Sequence, residues 1–309
     1  MNATLRAALV IALGLSLTLP AAASDITVTA RGRLKQAPQQ GNPPSARALF
    51  EKLHQHRRAK FAHFAFPYGL AVDGNGNLYV CNFDANDVSI VTSKYKVLST
   101  TISQGVSAPI SVAVDTNNNV YVANVAVNIT KYNSSYALVG TITANGSTAE
   151  SIAVDALQDI YIVSAYGGLS LDDPYGDSLY SNVFSGTLYS VAVGEPYVYT
   201  FYDNAAAFGN GSVALRYGEL QEEVGPIDSA AAGGSACSST ISACWYGDSI
   251  NNTLTYGLLP GNWFTVGLSY TPGGVAVDVA RNRVYVADPS HNAIQIYNAT
   301  TLAYEKTLT

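Results

Sequence analysis

The chain has 309 residues, 48% of them hydrophobic and 12% charged, with a formal net charge of −6. So little charge on so apolar a chain excludes an intrinsically disordered protein, and the 26 glycines follow no triplet period, which excludes a collagen-like rod. Abundant Tyr, Val, Thr, Asn and Gly favour strands joined by tight turns, in one large domain or two small ones.

The first 23 residues read as an export signal. Arg6 precedes an apolar run from Ala7 to Leu19, Pro20 breaks the run, and Ala21-Ala22-Ala23 supplies the small residues that a signal peptidase reads. The run is too short for a permanent membrane anchor. The pattern predicts a secreted or periplasmic protein with no transmembrane segment in its mature chain.

Residues 24–66 form a basic arm. Between 25 and 66 there are eight Lys and Arg against two Asp and Glu, whereas residues 67–309 hold seven against twenty. Within the arm, Asp25–Arg33 alternates like a strand, Gln36–Pro44 reads as an extended Pro-rich linker, and Ser45 is placed to cap a helix over Ala46–Ala62. His54 and His56 are two apart and so fall on different helix faces, which favours solvated side chains over a metal site. So acidic a body excludes a nucleic-acid-binding surface there. The arm either meets an anionic partner or folds against the acidic body.

From residue 67 the sequence repeats. Pro67-Tyr-Gly-Leu-Ala-Val-Asp73 leads to Leu78-Tyr-Val-Cys-Asn82, Pro109-Ile-Ser-Val-Ala-Val-Asp115 to Val120-Tyr-Val-Ala-Asn124, and Glu150-Ser-Ile-Ala-Val-Asp155 to Ile160-Tyr-Ile-Val-Ser164. Pro272-Gly-Gly-Val-Ala-Val-Asp278 leads to Val284-Tyr-Val-Ala-Asp288, while a degenerate copy starts at Tyr189 and a worn one spans Ser235–Gly247. A period near forty with several short strands per unit is the mark of a β-propeller, and the count predicts six four-stranded blades over 67–309. In the first blade the strands are expected at Leu70–Asp73, Leu78–Asn82, Val88–Thr92 and Val97–Ile102. The tracts after each Asp anchor, such as Asp73-Gly-Asn-Gly-Asn77, supply residues that tolerate left-handed backbone in a hairpin turn. They lack the length and terminal Glu of an EF-hand. Ala165–Tyr180 reads as an enlarged loop in the third blade. There, Asp172, Asp173 and Asp177 form a solvated acidic group or, alternatively, a Ca²⁺ site.

The motif Pro-x-Gly-(Leu/Val)-Ala-Val-Asp, then Tyr-Val-(Cys/Ala)-(Asn/Asp), then His291-Asn-Ala-Ile-Gln-Ile-Tyr297, resembles the NHL repeat. The resemblance covers residues 67–309, is specific in repeats one, two and six, and implies a six-bladed propeller.

In such a fold, ligands sit on the rim where loops meet the channel mouth. The residue three beyond each second-strand aromatic falls there: Asn82, Asn124, Ser164, Tyr202, Asp248 and Asp288, with Glu150 standing where other repeats place Pro. Either these form a polar ring that grips a sugar, a peptide or a cation, or they cap their own strand ends. Tyr79, Tyr121, Tyr161, Tyr199 and Tyr285 recur at one repeat position, so they read as blade packing. Cys237 and Cys244 are seven apart, a spacing that suits a disulfide across a hairpin and leaves Cys81 over. Alternatively, all three cysteines are small buried hydrophobes.

No catalytic motif emerges, so no catalytic residues are assigned. The reading is a monomeric, exported, non-enzymatic binding scaffold for a protein, peptide or carbohydrate ligand, without a cofactor. The alternative, implied by the resemblance, is a metal-dependent lactonase or lyase like the gluconolactonase-type propellers. It would hold one divalent cation such as Ca²⁺ with Glu150, Asn82, Asn124, Asp248 and Asp288.

Overall fold

The computed structural model describes residues 63–309, apart from 126–127, 144–147, 165–167, 184–186, 195–196, 205–208, 217–218, 227–233, 239, 241–242 and 259–261. The chain divides into two compact units, Met1–Asn42 and Pro43–Thr309, and every described residue belongs to the second. The expected signal, the Asp25–Arg33 strand and the Ala46–Ala62 helix lie outside the described residues.

The described strands form six four-stranded antiparallel meanders, each built from consecutive strands. The first blade is β1 (Pro67–Val72), β2 (Leu78–Asn82), β3 (Asp87–Val91) and β4 (Val97–Ile102), and the second is β5 (Pro109–Val114), β6 (Val120–Asn124), β7 (Asn128–Tyr132) and β8 (Leu138–Thr143). The third is β9 (Ala149–Val154), β10 (Ile160–Ser164), β11 (Gly168–Asp172) and β12 (Ser178–Val183), and the fourth is β13 (Thr187–Gly194), β14 (Tyr197–Asn204), β15 (Gly209–Arg216) and β16 (Glu219–Pro226). The fifth is β17 (Ser235–Ser238), β18 (Ala243–Asp248), β19 (Thr253–Leu258) and β20 (Asn262–Gly267), and the last is β21 (Val275–Asp278), β22 (Arg283–Asp288), β23 (Ala293–Asn298) and β24 (Tyr304–Leu308). Among the described residues the helical elements are two three-residue 3₁₀ turns, Val279–Arg281 and Pro289–His291. The inner strands β1, β5, β9, β13, β17 and β21 neighbour one another in sequence order, and β21 also meets β1, so they close a ring around a channel. This is a β-propeller.

The repeat motif encodes one turn and one anchor. Asp115 Oδ1 accepts the backbone N–H of Asn117 and of Asn119, both at 2.8 Å, and Oδ2 accepts from the Asn119 side chain and from the Tyr121 hydroxyl. Asp73 does the same with Asn75, Asn77 and Tyr79, and Asp155 accepts the Leu157 and Asp159 backbone N–H groups and the Tyr161 hydroxyl. Each turn needs one left-handed residue, supplied by Gly76 (φ 79°), Asn118 (61°) and Gln158 (71°). The tyrosines at this repeat position are buried and hold these carboxylates through their hydroxyls.

The core lies between blades rather than within them. Leu70, Leu78, Val80 and Val91 of the first blade pack on Ala276, Tyr285, Ala287, Ile294 and Ile296 of the last, and Phe64 joins the same cluster. The turn between third and fourth strands adds a peg onto the preceding blade. Tyr136 meets Tyr79 edge-on at 6.2 Å, and Leu302 packs beside Trp245.

Two expectations need correction. Ala165–Tyr180 is not an enlarged loop: Gly168–Asp172 and Ser178–Val183 are the third blade's outer strands, paired through Leu169–Asn182, Ser170–Ser181 and Leu171–Tyr180. Its Gly, Ser, Asp and Pro content looked like loop because the hairpin turn, Asp173–Asp177, sits in the middle of it. Consequently Asp172 is not a solvated acid but fully buried at a strand end. Burial raises its pKa, a hydrogen bond from Ser178 partly opposes this, and the charge of Asp173 adds to the rise.

Candidate functional site

The inner strands enter the channel at one mouth, where the second strands end. Pro67 pairs with Asn82, Pro109 with Asn124 and Ala149 with Ser164, so the predicted rim residues do lie at one end of the barrel of blades. Their side chains turn into their own blades. Asn82, only 2% exposed, donates through Nδ2 to Asp87 and Ser89 at 2.7 Å and accepts from the Ala65 N–H. Asn124 accepts the Ser107 N–H at 2.8 Å and donates to the Asn128 side chain and Thr130. Ser164 exchanges hydrogen bonds with the Gly168 backbone. Asp248 caps the next turn by accepting from the Ile250 and Asn251 N–H groups. Asp288 accepts from the His291 N–H, the Ser290 hydroxyl and Gln295 Nε2. The Tyr202 side chain lies outside the described residues.

Asp288, Ser290 and His291 have the composition of a hydrolase triad but not its geometry. His291 Nδ1 lies 2.9 Å from Asp288 Oδ2 and 3.1 Å from Ser290 Oγ, so both partners meet the same ring nitrogen. A relay requires the nucleophile on one nitrogen and the carboxylate on the other. Here the three side chains close a 3₁₀ turn.

Glu150 is different: it lines the channel. It is 7% exposed and borders a cavity of about 50 Å³ with Tyr68, Tyr189, Ser111, Ser151 and Ser190. Burial raises the pKa of the Tyr68 hydroxyl, and the Glu150 charge raises it further. Sequence reasoning singled out Glu150 but missed the two tyrosines. They occupy the same repeat position, one residue before the inner-strand Gly or Ser, and that alignment was the available signal.

The next residue inward forms a ring of its own: Gly69, Ser111, Ser151, Ser190, Gly234 and Gly274. Where it is Ser, the hydroxyl stitches blades together. Ser111 Oγ accepts the Ile152 N–H, Ser151 Oγ accepts the Val191 N–H, each at 3.1 Å, and Ser190 donates to Ser235 at 2.8 Å. Where it is Gly, backbones meet directly: Gly274 N–H donates to the Tyr68 carbonyl at 2.8 Å and Gly234 N–H to that of Gly273 at 3.0 Å. Beyond it lies a cavity of about 180 Å³ whose side chains are mainly apolar, among them Leu70, Val112, Ile152 and Cys237, with Ser235 also in the lining.

Cys237 is bonded to Cys244, its direct cross-strand partner. Cys81 is a buried free thiol whose pKa burial and then Asp87 push up, so it does not present a thiolate nucleophile. Asp173 is held below the usual carboxylate range by the backbone N–H groups of its own turn. Among the described residues no three His, Cys, Asp or Glu side chains lie close enough together to hold a metal ion.

No protein-family model matches the chain, and no curated protein matches it. Solved structures do. Hydrazine synthase of Kuenenia stuttgartiensis is similar with a TM-score of 0.61 at 14% identity, over 79% of this chain and 80% of that one. A streptogramin B lyase gives 0.59 at 14% identity, over 80% and 84%. Virginiamycin B lyase of Staphylococcus aureus gives 0.56 at 15% identity, over 79% and 84%. Likeness at this level shows the β-propeller fold alone.

Proposed function

We propose that the protein is an exported, non-enzymatic binding propeller that uses its channel mouth and surrounding loops to hold a peptide, protein or carbohydrate ligand, with no cofactor. The observation that carries this reading is the engagement of Asn82, Asn124, Asp248 and Asp288 with their own blades. A hydrolytic or lyase centre needs a general acid or base within hydrogen-bond reach of the reacting group, with its partners converging on one point. In this reading the rim polar groups serve the scaffold, and recognition falls to Glu150, Tyr68 and Tyr189. Export rests on the pattern of the first 23 residues, and the NHL-like assignment on the repeat motif.

A metal-dependent lyase or lactonase is the second reading. What favours it is the carboxylate of Glu150 in the channel, together with the fold shared with the streptogramin B and virginiamycin B lyases. The two separate on one assay. Purified protein is incubated with a panel of aliphatic and aromatic lactones and cyclic esters, with Ca²⁺, Mg²⁺ or Mn²⁺ and with chelator. Turnover abolished by both chelator and Glu150→Gln establishes the enzyme. The scaffold reading expects no such turnover, and binding on glycan and peptide arrays that Glu150→Gln weakens.

A further inference from the structure

The acidic body concentrates its few cations in one place. Residues 67–309 contain seven Lys and Arg, and five of them, Lys94, Lys96, Arg281, Arg283 and Lys306, belong to the facing parts of the first and last blades. Random scatter over six sheets would not gather them so.

Some of these side chains fasten the seam. Arg281 pairs with Asp278 at 2.9 Å and donates to the Asn75 carbonyl of the first blade. Arg283 and Lys306 lie 4.8 and 4.6 Å from the centre of the Tyr95 ring. Tyr95 sits at the peg position of its turn with φ 65°, so the ring is presented from a backbone conformation that a side chain rarely adopts.

The same seam carries an open groove of about 390 Å³, lined by His63, Tyr95, Lys96, Val97, Thr307, Leu308 and Thr309. Its size falls within the range of small-molecule sites. It lies between the outer strands β4 and β24, whose outward edges carry backbone donors. Lys96 lines it and is exposed, and exposed Lys306 stands at the Tyr95 ring beside it. The acidic groups near Tyr95 are Asp278, already bound by Arg281, and Glu305.

We propose that this groove at the seam of the first and last blades binds a small ligand bearing a carboxylate or phosphate group. Lys96 supplies the charge from the lining and Lys306 from beside the Tyr95 ring, the Thr309 hydroxyl supplies a hydrogen bond, and Val97 and Leu308 supply a short apolar floor, while the Thr307 hydroxyl is held by Gln295. A charge-assisted hydrogen bond from Lys is about twice as strong as a neutral one, so the oxyanion sets the affinity. The site is separate from the channel mouth and stands whether or not the channel binds anything.

The experiment titrates the whole protein by calorimetry at low salt with glucuronate, inorganic phosphate and, as the neutral match, glucose. Expected is saturable binding of glucuronate that glucose does not show and that added NaCl weakens. The variant Lys96→Gln/Lys306→Gln is expected to bind glucuronate about tenfold or more weakly, with Lys131→Gln unchanged. Competition by phosphate supports recognition of the oxyanion itself. Its absence, with glucuronate still bound, assigns the site to the carboxylated sugar. Equal binding of glucose, no saturable binding of either anion, or a double variant that binds like the parent overturns the proposal.

Discussion

At the scale of single residues, the clearest case is a substitution within the repeat. Val72 faces Leu78, Val114 faces Val120, Val154 faces Ile160 and Val277 faces Val284 across the first hairpin of their blades. In the fifth blade the same pair is Cys237 and Cys244. The disulfide therefore stands in for an apolar cross-strand contact, in a hairpin whose inner strand is only four residues long. In the entropy model of cross-linking, closing so short a loop contributes about 2–3 kcal/mol. Thiol titration of the denatured, unreduced protein is expected to find one free thiol, Cys81, and three after reduction. The double variant Cys237→Val, Cys244→Val, which restores the pair used elsewhere, is expected to keep the fold with a loss confined to that cross-link term in urea denaturation. Three thiols before reduction would show that no bridge forms. Spacing in the sequence suggested the bridge. It did not show why those two positions are partners, because that follows from aligning the worn fifth repeat with the others.

At the scale of elements, inner strands meet in two ways, and glycine decides which. A Cβ on Gly274 would meet the Tyr68 carbonyl, the Leu70 nitrogen at 3.0 Å and the Gly69 Cα at 3.1 Å, all backbone atoms that cannot step aside. A Cβ on Gly234 would come within 2.7 Å of the Gly274 Cα. Between the second, third and fourth blades, Ser111 and Ser151 instead reach across with a hydroxyl. Gly274→Ala is therefore expected to destabilise by about 2 kcal/mol or more through overpacking against fixed backbone. Ser111→Ala leaves the buried Ile152 N–H without its acceptor and is expected to lose about 1–3 kcal/mol. Urea denaturation midpoints check both, and a Gly274→Ala variant as stable as the parent would rule out the close approach. The Pro-x-Gly motif was legible in the sequence, but its purpose was not, because the partner strand lies some two hundred residues away in one case and forty in the other. The same limit applied to the rim. Asn82, Asn124 and Asp288 end their second strands, yet counting from the tyrosines cannot tell whether a polar side chain turns toward the channel or into its own hairpin. The hairpin won, because a buried turn must satisfy its backbone N–H groups locally.

At the scale of the whole molecule, the forty-residue period was the strongest signal, since each repeat folds as one consecutive meander and the sequence order of blades is their order in space. That same regularity leaves a weakness. No described strand crosses from one terminus into the other terminus's sheet, so among the described residues the first and last blades meet through side-by-side contacts. These include the Gly274 to Tyr68 backbone bond, the Phe66 N–H donated to the Asn292 side chain at 2.9 Å, the Arg281 bond to Asn75, and the buried cluster that Phe64 completes. Phe64 precedes the first strand yet is 1% exposed between blades, so it works as the plug of the closing seam. Removing its ring in Phe64→Ala costs about 3–5 kcal/mol by the usual scale for buried aromatics. The loss should not be spread evenly. Blades that share only intact interfaces keep their local opening free energies, whereas the seam opens first. Hydrogen exchange on the native variant is expected to rise in Leu70–Val72, Val275–Asp278 and Ile294–Ile296, while Ile152–Val154 and Ile160–Val163, on the far side of the ring, hold their protection. A uniform rise over all blades would mean that the propeller opens only as a single cooperative unit and that the seam is no weaker than any other interface.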